Sequence, residues 1–173
     1  MRKKICGILV ILLCVGQIFC GCGGNTNPEE KLLRIHVRAD SDDPRAQAVK
    51  ADVVAAIQCF LADELCDADT FAAAYGAVAS RLDTLAAIAS AVLRRKGFGY
   101  GATAALTREH FPTRVYGDRV VESGTYDALI VRLGKGEGDN WWCVLYPQMC
   151  YTSALAESGA VYKSLIAEIL QRK

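Results

Sequence analysis

Cys143, His36 and His110 are the residues from which nucleophilic chemistry would have to be built, since a thiol hydrolase needs a thiol and an imidazole base. The chain holds only two histidines. Cys143 lies inside the apolar run Trp141–Tyr146, away from any helix N-terminus that would lower its pKa, so a Cys–His hydrolase is the weaker reading. Asp40, Asp42 and Asp43 resemble half of a calcium loop. No glycine and no distal glutamate follow at the required spacing, and helix capping accounts for them better. Gly134-Lys135-Gly136-Glu137-Gly138 superficially suggests a phosphate cradle. It lacks a Gly-Lys-Ser/Thr ending and runs from strand to strand, so a hairpin loop is expected. No metal or cofactor pattern is found.

The remaining chemistry belongs to the cysteines. Residues 1–22 have the layout of an export signal: basic Arg2-Lys3-Lys4, an apolar run from Ile5 to Cys20, then small residues. Residues 23–30 read as a linker and 31–173 as one domain. Cys22 follows Gly21 and is a candidate for lipidation, although Phe19-Cys20-Gly21 departs from the usual lipoprotein pattern; ordinary cleavage and an uncleaved anchor are the alternatives. Cys59, Cys66, Cys143 and Cys150 lie in the body, and export makes disulfides available to them. Cys59 and Cys66 fall in a helical pattern, where a continuous helix would hold their Cα atoms about 10 Å apart. Pro147 turns the chain between Cys143 and Cys150, which makes them the better pair; two buried free thiols are the alternative.

The elements that must position these groups follow from periodicity. Leu33, Ile35, Val37 and Ala39 alternate with Arg34, His36 and Arg38, which predicts a half-buried strand with a basic outer face. Asp43-Pro44 opens a helix that runs to about Glu64. Asp67 or Asp69 caps a second helix, continuous to Lys96 and ended by Gly97. Strands follow over 100–110, in short pieces around Gly117-Asp118, over 125–133 and over 141–146. Thr152-Ser153 offers a cap for the last helix. The expected fold is α+β: a mainly antiparallel sheet of about five strands with three helices. Trp141 and Trp142 point to opposite faces, so one joins the core and the other needs a helix or a partner to cover it.

Composition limits the partners. Twenty Lys and Arg against 19 Asp and Glu give a net charge of +1, which argues against a nucleic-acid binder. Loss of the leader would leave 17 basic against 19 acidic side chains, net −2. A hydrophobic content of 52% excludes a disordered chain.

Several segments resemble the stage II sporulation protein R family: Phe111-Pro112-Thr113-Arg114-Val115-Tyr116-Gly117, Gly124-Thr125-Tyr126-Asp127-Ala128-Leu129, and Gly134 to Pro147 with its Asn140-Trp141-Trp142-Cys143 core and Cys150 after it. Leu33-Arg34-Ile35-His36-Val37-Arg38-Ala39-Asp40-Ser41-Asp42 is similar to the family's first-strand motif, with Asp40 where Asn is usual. Gln148-Met149 departs from the Pro-rich version of the family. The resemblance implies a ligand in place of an enzyme. Such a protein is exported from the forespore into the space between the two sporulating compartments. There it activates a membrane-embedded aspartic protease that processes pro-sigma-E. Arg34, His36 and Arg38 on the strand, and the loop Lys135–Asn140, are the expected contact positions, with Trp141 and Trp142 beside them. Charge reversal at Arg34 or Arg38 is expected to leave folding intact. A secreted thiol hydrolase and an envelope lipoprotein of binding type are the competing readings.

Overall fold

A computed structural model describes residues 31–149 and 154–171. In chain order it contains β1 (Leu33–Arg38), α1 (Pro44–Glu64), α2 (Phe71–Ala79), α3 (Leu82–Arg95), β2 (Ala102–Phe111), β3 (Arg114–Tyr116), β4 (Arg119–Val121), β5 (Gly124–Leu133), β6 (Asn140–Tyr146) and α4 (Ala154–Gln171). The α+β class is as expected, with four helices among the described residues. The sheet is mixed, in the order β2-β5-β1-β6, and β3-β4 form a separate hairpin. β1 runs parallel to β5, with Ile35 opposite Leu129, and antiparallel to β6, with Ile35 opposite Cys143. β2 runs antiparallel to β5 from Ala102–Leu133 to Phe111–Gly124.

The helices cover one face. Leu33, Ile35, Val37, Leu129, Val131, Cys143 and Leu145 meet Val53, Ile57, Phe60, Leu85, Ile88 and Val92 there. Asp43 caps α1 by accepting the Arg45 backbone N–H at 2.8 Å, and Pro44 stands at its first turn. The cap of α2 is Thr70, whose hydroxyl accepts from Ala73 N at 3.2 Å; neither Asp67 nor Asp69 takes that role.

Three further sequence expectations need correction. The single helix over 69–96 is two helices bent by 60°. Ser80 turns its hydroxyl back to the Ala77 carbonyl, and Arg81 pairs with Glu64 at 2.8 Å. The bend lets α2 lie against β1 and β6 while α3 covers β2 and β5, at opposite ends of the sheet. The helical spacing is real; the break reflects which strands each half must cover.

The Gly134–Gly138 segment is not a hairpin loop. It crosses the end of β1, because β1 sits between β5 and β6. The acidic run after β1 ties it down. Asp40 Oδ1 accepts from Lys135 N at 2.8 Å, Asp42 Oδ1 from Asp139 N at 2.6 Å, and the Ala39 carbonyl from Gly138 N at 3.0 Å. Lys50 Nζ donates to the Asp139 carbonyl at 2.8 Å. Gly138 passes so close that a Cβ there would overlap the Ser41 backbone.

The third correction concerns the basic side of β1, which is not an outer face. Arg34 is 0% and His36 1% exposed. Aromatic residues from β2, β3, β5 and β6 close over them.

Candidate functional site

Alternation along β1 sends Arg34, His36 and Arg38 to the side away from the helices. Phe111, Ala128 and Ile130 form a second small core on that side, with Tyr126 and Trp142 packed against it. His36 lies directly opposite Trp142 in the antiparallel register and stacks on it, ring centroids 3.7 Å apart. Phe111 meets both rings edge-on, at 5.9 Å and 4.8 Å.

Arg34 is enclosed by rings. Its guanidinium carbon lies 4.3 Å from the Phe111 centroid, 5.0 Å from Tyr126 and 6.0 Å from Tyr116. One N–H donates to the Tyr116 hydroxyl at 2.9 Å. Nε and the other terminal nitrogen have no hydrogen-bond partner. The third basic residue differs. Arg38 is partly exposed and pairs with Glu109. The same carboxylate lies 3.4 Å from His36 Nδ1. Burial holds the His36 pKa below its ordinary value; Asn140 and Glu109 oppose that shift and Arg38 adds to it.

The structure therefore gathers Arg34, His36, Arg38 and Trp142 on one sheet face, with Asn140 at its edge opposite Arg38. Lys135 and Trp141 are elsewhere. Lys135 belongs to the loop crossing β1, and Trp141 packs toward the helix-side core. Cys143 is buried on the helix side, opposite to His36 across the sheet, so these two do not form a pair. His110 is exposed at the end of β2. Cys22, Cys150 and the Thr152-Ser153 cap lie outside the described residues. Among the described cysteines, Cys59, buried, and Cys66, exposed, are not in a disulfide.

Sequence reading missed Glu109, Phe111, Tyr116 and Tyr126. Glu109 and Phe111 share the odd parity of β2, a signal that was present in the sequence. Their approach to β1 depends on the strand order, which no local pattern announces. A depression of about 600 Å³ lined by Asp40, Tyr100, Gly134 and Lys135 lies at the crossing loop. Its one carboxylate is occupied by the Lys135 backbone N–H. Among the described residues no cluster of His, Cys, Asp and Glu is arranged to hold a metal.

The fold and site define an α+β domain whose ionisable groups cluster on a ring-lined, cationic sheet face. A family model described as stage II sporulation protein R matches residues 29–156, and the chain belongs to that family. Stage II sporulation protein R of Bacillus subtilis (strain 168) is 30% identical over 122 residues, which cover 70% of this chain and 54% of that protein. The chain thus spans about half the length of the curated relative it matches. No solved structure matches.

Proposed function

We propose that this protein is an exported sporulation signal that activates the membrane-embedded aspartic protease processing pro-sigma-E. The observation that carries this reading is the family match, which spans the whole four-stranded sheet. The geometry supports a recognition role over a thiol hydrolase, because Cys143 and His36 occupy opposite faces of the sheet. Activation is a population shift. Binding must favour the active form of the protease, and a 100-fold preference corresponds to about 2.7 kcal/mol of differential binding.

In this reading residues 1–22 direct export from the forespore, and the protein works in the space between forespore and mother cell. Cleavage, lipidation at Cys22 or a retained anchor sets whether it is tethered. Arg38, Lys135, Asn140 and Trp142 are contact positions still open to solvent in whole or part. Cys143 and Cys150, on either side of Pro147, form a disulfide in this reading. Mass measurement after alkylation of the exported, denatured protein is expected to find both thiols blocked, and two alkylated sites there would refute the bridge.

The deciding experiment co-expresses this chain with the protease and its pro-sigma substrate. Processing is expected only when all three are present. Equal processing without this chain overturns the proposal.

A further inference from the structure

Several buried nitrogens on this face lack a hydrogen-bond partner, on Arg34, His36 and Arg38, and Arg34 is the fully buried cation among them. A guanidinium carries five N–H donors in a rigid fork and matches a carboxylate with two parallel bonds. Here it is fully buried and bonded to a single neutral phenol, with Nε and one terminal nitrogen unpartnered. Buried polar groups are nearly always satisfied, so two vacant nitrogens on one buried cation indicate a missing acceptor. Among the described residues no carboxylate pairs with it; Glu109 is engaged by Arg38 and His36.

Most of the charges around it are positive. Arg38 shares its face. Alternation places Arg132 there too, since Ala128 and Ile130 of the same strand lie in that core. Arg114 reaches over the Trp142 ring at 5.8 Å. Against these stands Glu109.

The lid over Arg34 is the β3-β4 hairpin. It pairs with no strand of the main sheet. Its neck is tied by Ser123 N donating to the Thr113 hydroxyl at 3.0 Å and by the Tyr126 hydroxyl donating to the Glu122 carbonyl at 2.8 Å. Tyr116 points inward to Arg34, while Val115 and Val120, opposite each other in register, are 64% and 54% exposed. Paired aliphatic side chains at such exposure offer a small apolar foothold on the lid itself.

We propose that Arg34 is the receiving group for a carboxylate side chain of a partner protein. The partner docks on Val115 and Val120, the hairpin shifts, and the carboxylate replaces the Tyr116 phenol on the guanidinium fork. The identity of that partner rests on the activating role proposed above; the binding chemistry does not.

The test uses the purified exported protein and sodium acetate as the probe, at constant ionic strength against sodium chloride. The Arg34 Nε–H signal, assigned with Arg34→Lys, is followed by NMR. A saturable shift with acetate and none with chloride is expected. Tyr116→Phe removes one competing neutral hydrogen bond and keeps the ring, so acetate should bind about fivefold tighter. Absence of a saturable shift overturns the site, as does an unchanged affinity in Tyr116→Phe. A tighter response to phosphate than to acetate overturns the carboxylate assignment. In the processing assay, Val115→Ser/Val120→Ser should retain the acetate response and lose activation. Full activation by that folded variant overturns the docking step. If the unaltered protein drives no processing, the activating role fails while the acetate result still decides the site.

Discussion

Arg34 and Arg38 look equivalent in the alternating sequence and are not equivalent in the protein. Arg34→Glu puts a carboxylate into a ring-lined, fully buried site and removes its bond to Tyr116. It is expected to cost at least about 3 kcal/mol. Arg38→Glu, partly exposed, should cost less, mainly through repulsion with Glu109. Urea unfolding of the two variants separates them; equal midpoints would contradict the burial of Arg34. His36 makes a pH prediction. Its pKa is lowered in the folded protein, so the unfolded chain binds the proton first. The stability contribution is present above the ordinary histidine value near 6.5 and is lost as pH falls through the folded pKa. Stability should therefore fall from pH 7 toward pH 5, with a shallower slope in His36→Phe.

At the scale of elements, periodicity revealed most of the fold. Alternation located β1, the Asp43-Pro44 signature started α1, and Gly117-Asp118 marked the β3-β4 turn. Two things were not legible. Charged residues at alternate positions of β1 read as solvent-facing, because the aromatics that cover them come from β2, β3, β5 and β6, far away in sequence. The loop at Gly134–Gly138 read as a hairpin, because nothing local reveals that β1 slots between β5 and β6. The residues that lock this crossing were visible only as capping acids. The lock makes its own prediction. Gly138→Ala drives a methyl group into the Ser41 backbone, so a loss of about 1–3 kcal/mol is expected. Calorimetry checks it, and a melting temperature equal to that of the parent would show that the two loops are not pressed together. Asp42→Ala should cost about 1–2 kcal/mol by removing the acceptor for Asp139 N.

For the whole molecule, the helix-side core among the described residues runs from Leu33 to Ile166. A chain beginning at Asn25 is therefore expected to stay soluble and to unfold cooperatively, as followed by circular dichroism and light scattering. Persistent aggregation would assign a structural role to the leader. The central position of β1 has a consequence for how the protein is made. β1, the first of the described strands, is flanked on both sides, and its neighbours are Gly124–Leu133 and Asn140–Tyr146. Synthesis and any N-terminus-first passage through a pore deliver β1 roughly a hundred residues before the strands that enclose it. Such long-range pairing is slow to form. The sheet is finished only when the chain has emerged as far as Tyr146, so a protein threaded across a membrane reaches its final form on the far side and not in transit.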